Sequence, residues 1–447
     1  MLPRFTIFLI LIVFFIGSTS FGLTLQESVE IALENNPEIL AQAERINALG
    51  SEIGQVYSAF LPELKIEGRF GREYQSSISY EILPGQTFVV TPDNAANVKD
   101  YRAVLTQNLY TGGKLESRLD IARVRLKIAK EELRRKKREL VYRVALAYYS
   151  VLRAERLLDL SLESADVAAA HLAQAKAYVA LGTAPKADLL RAQVKAAEVE
   201  LGKIQAESEL EIARIEFNDV LGREAEEPLI LKDAKSRASE DVLPSSEELL
   251  FPAFEHRPEW KVLNLQRVIG EREIIFARSG FSPTLSLRGT ISRSYLDYPP
   301  GELQIEESTG ILESDTWNVY GLVSWTIFDG LKTPNKIREA EANLAEIKAH
   351  ERRIENRIVA DVKRARLYFC AAKLRIKSAQ KGVEYAGQNL MLAQEKYRKG
   401  VRGNIEFIEA QTSLTKAKTD LLNAEADYEL TKAKINLAVG QEVFALF

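Results

Sequence analysis

The sequence contains two copies of one long pattern. Pro37 and Pro258 are 221 residues apart, and Pro62 and Pro283 repeat that offset. Later in the chain the offset is 218, as three matched pairs show: Gly182 with Gly400, Gln193 with Gln411, and Gly222 with Gly440. A repeat of about 200 residues is far longer than a solenoid unit. It indicates the duplication of a whole structural half.

The first twenty residues stand outside this repeat. Arg4 precedes an apolar run at 5–16, and small residues follow that run. A charged start, a short apolar run and small residues are typical of a cleaved secretory signal. The chain therefore divides into an expected signal peptide at 1–20, a first structural repeat at 21–222, a polar linker at 223–246 and a second repeat at 247–447.

The composition excludes several classes of protein. The net charge is −3, without the basic excess of a nucleic-acid binder, so no nucleic-acid partner is expected. Cys370 is the single cysteine, which excludes a disulfide framework. The three histidines are scattered, and no phosphate loop, zinc motif or catalytic triad pattern occurs. We expect no enzyme, no cofactor and no bound metal, and we interpret the histidines within long helices as surface or packing residues.

Each half begins with helical segments and continues with two strand-like segments. Helices are predicted at 25–34, with Thr24 as N-cap, and from Pro37 to about 59. Residues 63–70 then alternate between charged and apolar or small residues, which is a strand signature. A second strand is predicted over 101–110, after a polar loop at 76–97. The second half repeats this order after Pro258, with strands near 285–291 and 317–327 and a loop at 297–314.

After each strand pair the apolar period becomes that of a coiled coil. Small and apolar residues between 115 and 179, and again between 337 and 397, recur at alternating steps of four and three. The alternation fails once in each copy, at 136–140–144 and at 354–358–362, which are displaced by 218. Such a stutter locally unwinds a supercoil. Helices over 114–180 and 334–399 would each extend roughly 100 Å.

Each long helix leads into a glycine-bearing turn and then a shorter returning helix. The turns are Gly-Thr-Ala-Pro at 182–185 and Gly-Val-Arg-Gly-Asn at 400–404. Pro185 suits the first helical turn, and Asn404 suits an N-cap. The sequence of each half therefore predicts a strand pair followed by a very long helical hairpin.

Four strands per chain cannot close a barrel, for which about eight is the practical minimum. An open sheet would expose unpaired edges. Several copies must then share one sheet, and a three-fold ring would supply twelve strands. A membrane barrel, rather than an ordinary sandwich core, is favoured by aromatic residues near the predicted strand ends, namely Tyr101, Tyr110, Trp317, Tyr320, Trp325 and Phe328.

The chain resembles the TolC-like outer membrane efflux proteins across essentially its whole mature length. The most specific segments are LGTAPKADLLRAQ (181–193), KGVRGNIEFIEAQ (399–411), LYTGGK (109–114) and IFDGLK (327–332). The resemblance implies a homotrimer, mainly α with membrane β. A twelve-stranded barrel in outer-membrane lipid would continue into a periplasmic α-helical coiled-coil barrel. It also implies a passive exit duct for efflux or type I secretion, fed by an inner-membrane transporter through a periplasmic adaptor protein.

The resemblance also implies roles for residues near the two turns. Asp188 and Arg402 match residues that hold the periplasmic end closed. Glu406 and Glu409 match a pore-facing acidic ring, although this chain has Glu where close relatives have Asp. Six turn residues match the tip that an adaptor contacts: Gly182, Thr183, Ala184, Gly400, Val401 and Gly403.

One alternative function is a periplasmic coiled-coil adaptor or scaffold without a channel. An adaptor normally carries one hairpin flanked by β-rich domains, whereas this chain has two hairpins and two strand pairs. The sequence leaves the transported substrate open among drugs, metals and secreted proteins.

Overall fold

A computed structural model describes residues 22–75, 78–83, 86–91, 94–232, 243–298, 311–399 and 404–444. The expected signal peptide and part of the expected linker lie outside this set. So do four residues of the second turn, Gly400, Val401, Arg402 and Gly403. The described elements, in chain order, are α1 (Leu25–Asn35), α2 (Pro37–Ser58), β1 (Glu63–Gln75), β2 (Ile78–Leu83), β3 (Gln86–Thr91), β4 (Asn94–Tyr110), α3 (Lys114–Ala180), α4 (Lys186–Leu221), α5 (Ser246–His256), α6 (Pro258–Arg278), β5 (Thr284–Asp297), β6 (Ile311–Ser324), α7 (Lys332–Arg398) and α8 (Asn404–Val439).

The chain divides into two compact units, and the boundaries fall inside the two long helices. Of the described residues, those within Met1–Ala41, Arg135–Arg257 and Arg357–Phe447 form the first unit, and those within Gln42–Arg134 and Pro258–Asn356 form the second. The breaks in α3 and α7 lie at or beside the predicted stutters. The last two stripe residues of each stutter are at most 1% exposed: Leu140, Val144, Ile358 and Val362.

The second unit contains a four-stranded antiparallel sheet in the order β1-β4-β5-β6. One row across it runs from Gly68 through Tyr101 and Arg293 to Asp315. The outer strands of this sheet are β1 and β6, and the hairpin β2–β3 forms a separate two-stranded sheet. The four strands predicted for the main sheet are confirmed, in an order that brings the two halves of the repeat together at β4 and β5.

The strand bounds differ from the prediction in two places. The stretch 76–97, expected to be a loop, contains β2, β3 and the start of β4. Pro84, Gly85 and Pro92 lie between these strands in the sequence, and the strand segments are rich in Ile, Val, Tyr, Phe and Thr, which favour strands. The strand β6 begins at Ile311, inside the expected second loop, and ends at Ser324, before Trp325.

The two faces of the sheet differ in polarity. One face carries exposed apolar side chains, including Ile66, Ile291 and Trp317. On the other face Arg69 pairs with Asp100 at 2.6 Å, and Ser294 donates to Asp100 at 2.6 Å. The alternation predicted from the sequence is therefore present across neighbouring strands.

The predicted placement of aromatic residues at strand ends is only partly right. Tyr110 ends β4, Trp325 directly follows β6 and Phe328 lies beyond it. Tyr101, Trp317 and Tyr320 are internal to their strands, because β4 and β6 start earlier than the sequence suggested.

The N-terminal cap of α1 recurs in the second half of the chain. Thr24 and Glu27 form a capping box at the start of α1, as the N-cap prediction requires. Ser245 and Glu248 form the same box at the start of α5, 221 residues later. The helix α5, which was not predicted from the sequence, repeats α1 and lies between the expected linker and Pro258.

The start of the expected linker is attached to the first unit. Leu23 and Leu231 form a parallel β-bridge. The buried Tyr148 hydroxyl donates to the Lys232 carbonyl at 2.7 Å. These contacts place the start of the linker beside Leu23 and against α3.

The hairpins confirm the predicted helix lengths. The helix α3 spans 67 residues, as does α7, and both returning helices span 36. The helix α7 begins two residues earlier than predicted, where Thr333 donates to the Asp329 carboxylate through both its backbone N–H and its hydroxyl. Within the described residues, no helix is both long enough and apolar enough to span a membrane.

Within the first unit the four long helices lie in the order α4-α3-α8-α7. The helix α8 runs antiparallel to α3, since Glu163 pairs with Lys418 at 2.8 Å and Arg156 with Glu425 at 3.4 Å. On the outer sides, Glu155 of α3 contacts α4 through Arg214, and Arg375 of α7 contacts α8 through Asp427. The helices α4 and α7 are therefore the two flanks of the set.

Candidate functional site

The first hairpin turn is built around Gly182. Its φ of +72° lies in the left-handed region, where residues with a β-carbon are strained. The Thr183 N–H and hydroxyl both donate to the Tyr178 carbonyl, at 2.9 and 3.0 Å. The sequence placed Pro185 in the first helical turn, and it stands one position earlier, as the N-cap of α4. Gly182 and Thr183 are exposed and Ala184 is half-buried.

The described residues of the second hairpin bring its α8 end against the first hairpin. Asn404 is the first residue of α8 and is fully buried. Its Nδ2 donates to the Asp188 carbonyl oxygen at 2.9 Å, and its Oδ1 is in hydrogen-bond contact with Nε2 of His171. One side chain thus connects α8 with both α3 and α4. We name His171, Asp188 and Asn404 the tie.

The tie determines the tautomer of His171. The amide of Asn404 gives its N–H to a carbonyl, which only accepts, so its oxygen must face His171. Nε2 of His171 therefore carries the hydrogen and donates. Nδ1 of His171 is buried and has no hydrogen-bond partner among the described residues, so a second ring proton would be left without an acceptor.

Burial lowers the pKa of His171 below its ordinary value, although the hydrogen bond with Asn404 and the charge of Asp188 act in the opposite direction. Aromatic rings surround this imidazole. The ring centroids of Phe407 and Tyr397 lie 4.6 and 5.3 Å from that of His171. The neutral imidazole therefore packs as part of an apolar cluster while making one directional bond.

Asp188 is buried through its position at the start of α4, and its carboxylate has a basic neighbour on the same helix. Arg191 Nη1 lies 3.4 Å from Asp188 Oδ1. Arg402, the partner that the resemblance implies, lies outside the described residues. The structure therefore brings Asp188 to the second hairpin through its backbone carbonyl and Asn404.

The two glutamates expected to form an acidic ring lie one helical turn apart on α8. Glu406 pairs with Lys396 of α7 at 2.9 Å, and Glu409 is exposed. Residues at i and i+3 share a helix face. In the part of the chain that the structure describes, no group of three acidic, histidine or cysteine residues is arranged to hold a metal ion.

Packing, one of the two roles expected for His171, is confirmed, but its bond to Asn404 was not predicted, and the role predicted for Asn404 was wrong. His171 was expected to be a surface or packing residue, and Asn404 was expected to cap α8 with its side chain. The predicted stripe on α3 ran through Ala168, Leu172 and Ala175, so His171 lay beside it. A contact between α3 and α8 depends on which helices become neighbours, and the period of a single helix does not contain that information.

The comparisons with known proteins agree with this fold. A sequence profile described as "Outer membrane efflux protein" matches residues 29–223 and 252–441. The chain is 22% identical to the outer membrane protein TolC of Vibrio cholerae over 427 residues, covering 95% of this chain and 92% of the relative.

Two solved structures share the fold at low sequence identity. A structure of CusC superposes with a TM-score of 0.78 and 18% identity, covering 93% of this chain and 92% of that one. The CmeC outer membrane channel of Campylobacter jejuni gives a TM-score of 0.77 and 16% identity, covering 94% and 87%.

Proposed function

Because the chain belongs to the outer membrane efflux protein family, we propose that three copies of it form one outer-membrane channel. The protein is a channel of the outer membrane that serves efflux, and its family is one of transport proteins and not of enzymes. In the proposed trimer, three four-stranded sheets close a twelve-stranded barrel in the membrane, and the helical hairpins surround the periplasmic part of the duct.

The sheet carries the main observation in favour of the trimer. Its outer strands β1 and β6 have no strand partner on their far sides among the described residues, and unpaired edges favour pairing with another chain. The exposed apolar face, which includes Ile66, Ile291 and Trp317, has the polarity of a lipid-facing surface. Three sheets joined edge to edge satisfy both features, with the polar face lining the duct.

The helices support the same assembly. The flanking helix α4 exposes apolar side chains at heptad-like spacing, and so does α7. Such stripes are typical of coiled-coil seams that lack their partner. The members exposed by more than 45% are Leu190, Val194, Leu201, Ile204, Ile212 and Ile215 on α4, and Leu367, Tyr368, Leu374, Tyr385, Met391 and Leu392 on α7.

We place the gate of this channel at the hairpin turns. Asp188 and Arg402 form the ionic link of the closed state, and engagement of a periplasmic adaptor breaks it. The burial of Asp188 beside the start of α8 supports this assignment. Glu406 and Glu409 supply six carboxylates to the trimer, which focus cations at the constriction.

The partners follow from the family and from the exposed turn. An adaptor contacts the turn residues Gly182, Thr183 and Ala184, together with Gly400, Val401 and Gly403 of the second turn. An inner-membrane transporter supplies the energy, because the chain carries no nucleotide-binding motif. The substrate class is set by that transporter.

Conductance of the purified protein in planar lipid bilayers tests this proposal. The trimer should conduct weakly, and Asp188→Ala and Arg402→Ala should each raise the single-channel conductance, because the link no longer holds the tip closed. Glu198→Gln, an exposed substitution on α4 away from the turn, is the matched control. Conductance at the wild-type value in both variants would refute the link, and a protein that never conducts would refute the channel.

A further inference from the structure

The junction between α3 and α8 has a defined register. Glu163 of α3 pairs with Lys418 of α8 through both carboxylate oxygens at 2.8 Å. One residue further on, the hydroxyls of Ser164 and Thr415 lie 3.3 Å apart. These contacts lie within one compact unit, and they describe how a long helix of one repeat packs against the returning helix of the other.

The internal repeat relates this junction to the two flanks of the chain. Adding 218 to a residue of α3 gives its counterpart on α7, and subtracting 218 from a residue of α8 gives its counterpart on α4. The helices α7 and α4 thus hold the same two positions in the repeat as α3 and α8. They lie on opposite flanks of one chain, so they can meet only between copies.

Matched positions on α3 and α7 show that the second junction is open in a single chain. Tyr149 on α3 is 9% exposed, whereas its counterpart Leu367 on α7 is 65% exposed. Leu152 is buried, whereas its counterpart Cys370 is exposed.

Matched positions on α8 and α4 also differ in exposure. Ala433 on α8 is 2% exposed, and its counterpart Ile215 on α4 is 46% exposed. The faces that α3 and α8 bury against each other therefore correspond to exposed, apolar faces on α7 and α4.

The charges at the central contact change sign between the two junctions. The counterparts of Glu163 and Lys418 are Lys381 on α7 and Glu200 on α4. The ion pair is retained with its charges exchanged. Lys381 is exposed and has no ion-pair partner among the described residues, and Glu200 is exposed with a contact of 3.4 Å to Lys203 on its own helix.

The side chains at the neighbouring contact are smaller at the matched positions on α7 and α4. The counterparts of Ser164 and Thr415 are Gly382 and Ala197. A β-carbon placed on Gly382 would meet no atom within 4 Å in the single chain. Two small residues leave room for close approach of the helix backbones at this height.

We propose that the junction between copies repeats the register of the α3–α8 junction, with α7 of one copy against α4 of the next, Lys381 paired with Glu200, and Gly382 beside Ala197. This inference rests on the proposed trimer and adds the identity and the alignment of the two helices that meet.

Disulfide cross-linking tests the register. In a Cys370→Ser background, Ala197→Cys with Gly382→Cys should link neighbouring copies on mild oxidation, giving covalent dimers and trimers on denaturing gels without reductant. Ser164→Cys with Thr415→Cys is the matched control, because hydroxyls 3.3 Å apart leave the β-carbons within reach of a disulfide. This control pair should oxidise inside one chain and leave the band at monomer size.

A second pair tests the alignment itself. Ile204→Cys with Gly382→Cys moves one partner by a heptad, about 10 Å along α4, which exceeds the reach of a disulfide. We expect no cross-linked species from this pair. Cross-linking as efficient as that of the 197/382 pair would overturn the register.

Native mass measured on the same samples separates the inference from the proposed function. A trimer in which the 164/415 control oxidises but the 197/382 pair does not would overturn the register and leave the channel proposal standing. A monomer would overturn both.

Charge exchange provides an independent check. Lys381→Glu and Glu200→Lys should each lower the temperature at which the trimer dissociates, and the double variant should recover it. Additive losses in the double variant would contradict the ion pair.

Discussion

The two junctions of this repeat have the same construction, but only one is completed within a chain. Tyr149 on α3 is covered by α8, while Leu367 at the matched position on α7 is bare. Duplication has produced two equivalent helix faces, and the order α4-α3-α8-α7 leaves one of them for another molecule. The difference supports the proposed trimer, in which a second copy supplies the contacts that a single chain lacks.

The ends of the two junctions differ in a second way. Two residues of the tie, His171 and Asn404, are bonded within the chain. Their counterparts in the repeat are Asn389 and Lys186. Asn389 and Lys186 are exposed and make no comparable contact within the described part of the chain. The within-chain junction is therefore joined near the turns by a bond between His171 and Asn404, and Asn389 and Lys186 cannot repeat that imidazole–amide pair at the junction between copies.

The largest expected effect comes from placing a charge on the bare face. Ile204→Glu should abolish the trimer, because burying an unpaired carboxylate at each of three junctions costs several kcal/mol per ion. Size-exclusion chromatography with light scattering measures the loss. Ile230→Glu is the matched control, since Ile230 is as exposed as Ile204 in the single chain but lies off α4. Equal behaviour of both variants would remove the distinction between the two faces.

A smaller effect is expected from breaking the tie. Asn404→Ala leaves the Asp188 carbonyl and Nε2–H of His171 without partners, and each unsatisfied buried group costs about 1–3 kcal/mol. Hydrogen exchange should accelerate in the first turn of α8. Asn389→Ala, at the position on α7 that corresponds to His171, should leave exchange unchanged within about 0.5 kcal/mol. Equal acceleration in both variants would show that the tie does not distinguish the junctions.

Acid should weaken the tie through His171. Burial lowers the pKa of His171 in the folded chain, and the ordinary value is about 6.5. When the tie is broken, His171 therefore binds a proton more readily than it does in the folded chain. The stabilisation of the fold by neutral His171 is complete above about pH 6.5 and is lost as the pH falls below it. After division by the intrinsic exchange rate at each pH, the protection of amides in this turn should be lower at pH 5.5 than at pH 7.5.

His171→Gln should flatten this pH dependence, because a glutamine N–H can still donate to Asn404 and does not titrate. His350→Gln, on an exposed part of α7, should leave the dependence as in wild type. A dependence that persists in His171→Gln would assign the effect to another group.

The smallest structural effect is expected from substitutions of Glu406 and Glu409 on α8. Divalent cations on the periplasmic side should block the channel, and Glu406→Gln combined with Glu409→Gln should remove the block while the trimer persists. Glu198 and Glu209, exposed on α4 and outside the proposed ion pair, serve as a control pair for the same substitution. Block that survives in the double variant would show that Glu406 and Glu409 do not form the cation site.

Long periodic elements could be predicted from the sequence almost to the residue. The helix α3 has the predicted bounds because a seam of alternating fours and threes, interrupted only by the stutter at 136–144, continues over its length. The hairpin β2–β3 was missed because its strands are only six residues long and are separated by loop-favouring residues. The length of a strand segment limits how much pattern there is to detect.

The chemistry near the turns was less predictable for a different reason. Asp188 could be selected as a candidate from its place after the first turn, and its role in the gate stays a prediction. The bond from Asn404 to its carbonyl depends on α8 lying beside α3 and α4. The pairing of His171 with Asn404 joins residues 233 positions apart. Such contacts follow from helix order, which local periodicity does not determine.

The central claim is that one chain is incomplete and that three copies complete it. The mass of the detergent-solubilised protein, measured by native mass spectrometry, tests this claim most directly. The account predicts a trimer that requires detergent to remain in solution, because the apolar face of the sheet must be covered. A protein that stays monodisperse and monomeric without detergent would contradict it.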